Sequence, residues 1–202
     1  VFDEESGVWT ATPQANASGA QYLWEVEVYA HSTRAIETNQ VTDPYSVALT
    51  VNSTRSIAVD LSDEQWAPEI WTDTQTPVVE RQVDRAIYEL HVRDFSIGDV
   101  TVPEELRGTY RAFTVDSAGT AQLRELAEAG INTVHLLPTF DIATIEEDRS
   151  LQAVPACDLE ALTASTAAGE GPAGEAQQDC INAVKDQDGF NWGYDPFHFQ
   201  AA

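Results

Sequence analysis

The chain has 202 residues, and its 34 acidic side chains against 10 lysines and arginines give a formal net charge of −24. A surface of this charge repels phosphate groups, so nucleic acids and anionic lipids are excluded as partners. No run of 18 apolar residues is present, which excludes insertion into a membrane as a helix. The acidic excess fits two interpretations, a protein kept soluble in salty surroundings and a generally acidic secreted protein.

The beginning of the sequence lacks the features of a complete gene product. Its first residues contain neither a basic segment nor an apolar one, so they are not expected to be a signal peptide. Methionine is absent, at position 1 as elsewhere. Val1 is therefore expected to be an internal or processed start.

Residues 1–66 have the patterns of β-structure. Apolar and polar side chains alternate over residues 21–29, which predicts a strand with one buried face. Further strands are predicted over residues 47–51 and 55–61, with a turn between them. Too few strands are visible for a complete sandwich, so we expect a partial antiparallel β-sandwich. Residues 67–84, bracketed by prolines and rich in threonine, are predicted to be a linker.

Residues 85–202 change to an alternation of strand and helix. We predict a strand over residues 86–95, a helix over 120–129 and a second strand over 131–137. Gly130 is expected to end the helix as its C′ residue. Strand, helix and strand in this order predict a βαβ unit with parallel strands.

Residues 142–188 interrupt this alternation with small and polar side chains, which predicts a long surface insertion. Cys157 and Cys180 lie in it and could form a disulfide, remain free thiols or supply half of a metal site. No histidine lies between them and their spacing is wide for zinc, which favours the disulfide. Such a disulfide would contribute about 3 kcal/mol and would indicate an oxidising compartment.

Residues 190–196, FNWGYDP, have the composition of a sugar site, with flat rings to stack on pyranoses and short polar groups for hydroxyls. Large aromatic side chains are usually buried, but Gly193 and the Asp-Pro pair are typical of exposed, unusual backbone. The segment resembles YNWGYDP, the signature of bacterial type I pullulanases. Phe190 is its only departure from that signature.

Further segments resemble the same family and occur in the expected order along the chain. They are residues 41–46, 55–61, 88–96, 108–113 and 134–141. On this basis the chain is identified as similar to an extracellular type I pullulanase of glycoside hydrolase family thirteen. The resemblance implies that residues 1–66 are a sandwich of the carbohydrate-binding family forty-eight type. It also implies that residues 85–202 are the first βα units of a (β/α)8 barrel.

The resemblance also assigns roles within the aromatic segment. It implies that Tyr194 is the platform beneath the glucose next to the scissile bond. Asn191, Trp192 and Asp195 would shape the same substrate pocket. Behind them, we expect Phe190 and His198 to support the pocket without touching the substrate.

Glycoside hydrolysis requires a pair of carboxylates. Asp94 and Asp141 end the two strands predicted in the barrel part, where barrel sites gather, so position alone makes them candidates. The resemblance implies instead that the catalytic carboxylates follow later strands, beyond Ala202, and that these two aspartates are structural. His91 and His135 are expected to be hydrogen-bonded core residues.

The resemblance implies that the parent protein hydrolyses α-1,6-glucosidic links in pullulan, starch or glycogen by a retaining mechanism. No metal site and no required cofactor are expected, although a structural calcium is compatible with the complete enzyme. The 202 residues alone are expected to be inactive, because they need the remainder of the barrel. Two alternatives stay open: a non-catalytic α-glucan-binding module, and an amylase-family enzyme acting on α-1,4 links.

Overall fold

The computed structural model describes residues 1–13 and 16–202, which form two compact units. The first unit contains Val1–Pro68 together with His198–Ala202, and the second contains Glu69–Phe197. The last five residues, which the sequence pattern assigned to the barrel part, thus pack with the first unit. Most of the predicted linker, residues 67–84, belongs to the second unit.

The first unit is built from small antiparallel sheets. Strand β1 (Phe2–Asp3) pairs with β2 (Val8–Trp9), β3 (Gln21–Tyr22) with β6 (Ser56–Ile57), and β4 (Trp24–Ala30) with β5 (Ala35–Val41). The β4–β5 hairpin is the longest of these pairs, with Trp24 opposite Val41 and Ala30 opposite Ala35. The strand predicted over residues 21–29 is confirmed as β3 and β4.

The strands predicted over residues 47–51 and 55–61 are largely wrong. Within these two ranges, β-pairing is limited to strand β6 and to one isolated bridge between Leu49 and Ser56. The turn between them forms local hydrogen bonds instead, since the hydroxyl of Thr50 accepts from the backbone N–H of Arg55 at 2.9 Å. Hydroxyl side chains that bond to nearby backbone compete with strand pairing in this way.

A carboxylate organises the interior of the first unit. Asp43 accepts hydrogen bonds from the Tyr22 hydroxyl at 2.9 Å, the Trp24 indole N–H at 3.0 Å and the Tyr45 backbone N–H at 2.9 Å. Partial burial alone would raise the pKa of Asp43, but hydrogen bonds from Trp24, Tyr45 and Tyr22, with His198 nearby, outweigh it and hold that pKa below its usual range. Burial, followed by the contact with Asp43, raises the pKa of Tyr22.

The second unit contains a parallel pair of strands, β7 (Ile87–Leu90) and β8 (Thr133–Leu136). Helix α2 (Ala118–Glu128) connects them, so the predicted βαβ unit is confirmed. Ser117 begins the helix with a capping box, in which its side chain accepts from the Thr120 N–H. Gly130 follows the C-cap with φ of 108°, a conformation that glycine adopts readily.

The strand predicted over residues 86–95 is wrong in its second half, because a short helix, α1 (Val92–Ser96), follows β7. Val92 and Ser96 are both buried, and their spacing of four residues suits one face of a helix. Phe95 stacks on Phe113 with ring centroids 4.2 Å apart. The interior of this unit lies beside α1 and includes the buried Val102 and Ala112.

The insertion over residues 142–188 forms two short helices, α3 (Leu159–Ala164) and α4 (Ala176–Asn182). The side chain of Asp158 caps the first by accepting from the Ala161 N–H at 2.9 Å. Cys157 and Cys180 form a disulfide with their Cα atoms 6.4 Å apart, which confirms the favoured alternative. The disulfide therefore joins α4 to the residues just before α3.

Candidate functional site

The aromatic segment, residues 190–196, lies against the end of β8 through its central glycine. Gly193 is buried, has φ of 74°, and approaches Pro138, which follows β8. A Cβ atom at Gly193 would lie 2.8 Å from the Pro138 carbonyl oxygen. Glycine is required here for two reasons, the left-handed backbone and the close approach.

Backbone hydrogen bonds hold both ends of this segment. At its start, the Asp188 carboxylate accepts from the Phe190 N–H at 2.9 Å. At its end, the Ala143 N–H donates to the Asp195 carbonyl and the Phe197 N–H donates to the Asp141 carbonyl, each at 2.9 Å. The segment is thus fixed beside the first residues after β8, the edge at which parallel-strand proteins usually place their sites.

Three rings of the segment are accessible to solvent. The exposed fractions are 49% for Phe190, 55% for Trp192 and 67% for Tyr194. Phe190 packs edge-on against Trp192 at 5.8 Å, and the guanidinium of Arg93 lies 5.5 Å from the centre of the Phe190 ring. Exposed flat rings held by a rigid backbone suit stacking on sugar rings.

A buried histidine supports Trp192 from behind. The ring of His91 lies 6.0 Å from that of Trp192 and is 8% exposed. Its Nδ1 lies 3.5 Å from the Asp94 carboxylate, which is too long for a hydrogen bond, and has no other partner among the described residues. His91 is thus buried as predicted, but the predicted hydrogen bond is not formed. Asp94 is bonded by Arg93 at 3.0 Å.

Other residues singled out from the sequence lie in different surroundings. His135 is exposed and pairs with Glu89 on the neighbouring strand at 3.0 Å, so its prediction as a core residue is wrong. Asp141 is buried, and its carbonyl holds the end of the aromatic segment. His198 is also buried, and its Nε2 lies 2.8 Å from the Thr42 hydroxyl of the first unit.

Sequence reasoning missed three residues that shape the site. Pro138 receives Gly193, Asp188 begins the turn before Phe190, and Arg93 covers that ring. The aspartate two residues before an aromatic was a detectable signal, since Asp side chains often bond to the backbone two residues on. Nearby, Tyr110 donates from its hydroxyl to the Thr139 carbonyl at 3.0 Å, and burial raises the pKa of that hydroxyl.

Residues 1–13 and 16–202 were compared with the requirements of a metal site and of a membrane-spanning helix. Within these ranges no group of three or more histidine, cysteine, aspartate or glutamate side chains is arranged to hold a metal ion. No helix in the same ranges is long and apolar enough to cross a membrane.

Comparison with known proteins adds independent information. No family model matches the chain. Pullulanase 1, chloroplastic, of Arabidopsis thaliana is 36% identical over 196 residues, which are 96% of this chain and 20% of that protein. The pullulanase of Klebsiella pneumoniae is 34% identical over 227 aligned residues, covering 98% of this chain and 21% of that protein. The crystal structure of a Klebsiella pneumoniae pullulanase complexed with maltotriose matches 100% of this chain and 22% of that one, with 32% identity and a TM-score of 0.83.

These similarities extend over almost the whole chain, and the relatives, which are pullulanases, are glycoside hydrolases. The chain is therefore a pullulanase-type segment, which confirms the resemblance seen in residues 190–196. It spans about a fifth of the length of the curated relatives that it matches.

Proposed function

We propose that the chain is part of a debranching enzyme that hydrolyses α-1,6-glucosidic links in pullulan, starch or glycogen. The observation that carries this proposal is the exposed aromatic segment, fixed beside the end of a parallel strand in a chain homologous to pullulanases. Maltotriose, the ligand named for the Klebsiella pneumoniae structure, is an α-glucan and belongs to the same substrate class.

Within this proposal the two units have different tasks. Residues 1–66 are a partial β-sandwich of the carbohydrate-binding family forty-eight type, residues 67–84 a linker, and residues 85–202 the beginning of a (β/α)8 barrel. The antiparallel hairpins of the first unit and the parallel pair β7–β8 of the second support this division. The side chains of Ile87 and Val134 on that pair are largely exposed, as expected for strands that gain neighbours from further barrel strands.

The aromatic segment then grips the substrate. Tyr194, the most exposed ring of the three, is the platform for the glucose beside the scissile bond. Trp192, Asn191 and Asp195 shape the pocket, and Phe190 supports Trp192 through their edge-on contact. The nucleophile and the acid of the retaining mechanism come from other strands of the barrel. Asp94 and Asp141 orient neighbouring groups, since one is bonded to Arg93 and the other holds Phe197.

The proposal includes a secreted or cell-surface location. The disulfide between Cys157 and Cys180 supports it, because disulfides persist in oxidising compartments. The name of the Arabidopsis thaliana relative gives that protein a different, chloroplast location. Blocking of free thiols in protein from its native source, followed by mass spectrometry, decides the point. Labelling of both cysteines without a reductant contradicts the proposed location.

Replacing Tyr194 by Ala tests the proposed function. In the complete gene product, we expect kcat/KM for pullulan to fall about tenfold, the size of effect expected when one stacking ring is lost. Trp71→Ala removes another exposed ring, in the predicted linker, and serves as the control that should keep wild-type kinetics. Equal activity of the two variants refutes the platform role. Retention on insoluble starch with no release of reducing ends favours the binding-module alternative.

A further inference from the structure

The second unit contains a cleft of about 460 Å³ beside the aromatic segment. The insertion supplies one wall through Arg149, Gln152 and Val154, and the other wall includes Phe190 and Asn191. This volume is within the range of small-molecule sites, roughly 300–1,000 Å³. The cleft therefore adjoins the proposed substrate pocket and shares Asn191 with it.

The wall contributed by the insertion is held in place by several bonds. The Arg149 guanidinium donates to the carbonyl of Arg107, and the Gln152 amide donates to the carbonyl of Glu146 at 2.6 Å. Two distant parts of the insertion are also joined, because the Ala153 N–H donates to the Gln187 carbonyl at 2.8 Å. A cleft with fixed walls is preorganised for a ligand, which lowers the entropic penalty of binding.

The charges of the cleft favour a neutral ligand. Arg93 and Arg149 are its cations and Asp188 is its carboxylate. Asp94 is bonded to Arg93 at 3.0 Å and brings the local balance to zero in a chain of net charge −24. An anionic ligand thus meets no excess of positive charge and a strongly negative surrounding surface.

Several of the other lining groups can recognise hydroxyl-rich molecules. Amides of Gln152 and Asn191 and the carboxylate of Asp188 can exchange hydrogen bonds with hydroxyls. The half-exposed ring of Phe190 and the apolar Val154 offer surface to the C–H faces of a pyranose. Phe190 belongs to the cleft and also packs on Trp192, so one extended molecule can contact the cleft and the exposed rings together.

We propose that this cleft binds a linear α-1,4-linked glucan arm of the substrate, and that the insertion sets the preference for that arm. The inference rests on the proposed function, because it takes an α-glucan as the substrate. The inference goes beyond the proposed function because it assigns part of the recognition of the glucan to the insertion.

The test measures hydrogen–deuterium exchange of the complete gene product with maltohexaose, and with cellohexaose as the β-linked control. We expect maltohexaose to protect peptides that cover residues 145–155, and cellohexaose to leave them unchanged. Val154→Arg should fill the cleft with a long side chain that has no aromatic ring and raise the maltohexaose concentration for half-protection about tenfold, equivalent to 1.4 kcal/mol. Val154 is 77% exposed, so the larger side chain does not disturb the interior.

Leu151→Arg is the matched control, since Leu151 is 65% exposed in the same insertion but does not line the cleft. Val154→Glu is a second blocking variant, for use if the first has a lowered melting temperature. Protection near Tyr194 without protection of residues 145–155 overturns the cleft proposal and leaves the proposed function standing. Wild-type protection in both blocking variants also overturns it. Absence of any protection together with absence of pullulan hydrolysis refutes the proposed function itself.

Discussion

The fit of Gly193 against Pro138 makes a quantitative prediction for Gly193→Ala. An L-residue at φ of 74° destabilises the fold by roughly 1–2 kcal/mol because its Cβ crowds the following carbonyl. The new Cβ would also lie 2.8 Å from the Pro138 carbonyl oxygen, a backbone atom that cannot swing aside. Overpacking of this kind adds about 1–3 kcal/mol. We therefore expect the second unit to lose about 3 kcal/mol of unfolding free energy.

Two other glycines of the same unit separate these contributions. Gly169 has φ of 81°, and a Cβ atom there would meet nothing within 4 Å, so Gly169→Ala should lose only the backbone part, about 1 kcal/mol. Gly98 has open space and no positive φ, so Gly98→Ala should be neutral or gain about 0.5 kcal/mol. The series thus changes one factor at a time.

Urea denaturation, followed by tryptophan emission and circular dichroism, measures the three variants. With a slope of about 2 kcal/mol per M, the midpoint should fall by about 1.5 M for Gly193→Ala and by about 0.5 M for Gly169→Ala. Equal shifts for these two variants would refute the reasoning, because the contact with Pro138 would then contribute nothing.

The remaining predictions concern the acid limit of stability and the disulfide. The folded-state pKa of Asp43 is lowered, so its contribution is present above the unfolded value of about 3.9 and disappears as the pH falls through the folded value. Asp43→Asn should therefore lower the melting temperature at pH 7 and flatten its decline below pH 5; parallel pH profiles would contradict this. Replacing both Cys157 and Cys180 by Ser should cost about 3 kcal/mol for a loop of sequence separation 23, measured by urea denaturation against the wild type with and without reductant. A wild type insensitive to reductant would contradict this account.

The sequence predicted elements best where local and tertiary preferences agree. Helix α2 has an apolar face, a capping serine and a closing glycine, and it was predicted to within two residues of its observed start. Strand β5 was missed because it is polar and mostly exposed, so its extended form depends on pairing with β4. The short helix α1 was read as strand because its β-branched and aromatic residues suit both conformations, and packing of Phe95 on Phe113 decides between them.

The site was predictable in its composition but not in its surroundings. Aromatic rings around Gly193 indicated a sugar site, and the structure places those rings in solvent. The partners of the segment come from distant positions, since Arg93 lies nearly a hundred residues earlier and Pro138 follows strand β8. No local pattern encodes such long-range contacts, which depend on the path of the whole chain.

The return of the last residues to the first unit has a consequence for the order of folding. The Thr42 hydroxyl and His198 are 156 positions apart, and His198 and Ala201 are both buried within that unit. A ribosome adds about 5–20 residues per second, so roughly 10–30 s separate the synthesis of the two partners. During that interval the second unit emerges with all its own residues, while the first still lacks part of its interior. The first unit is therefore synthesised first but completes its packing after the second unit.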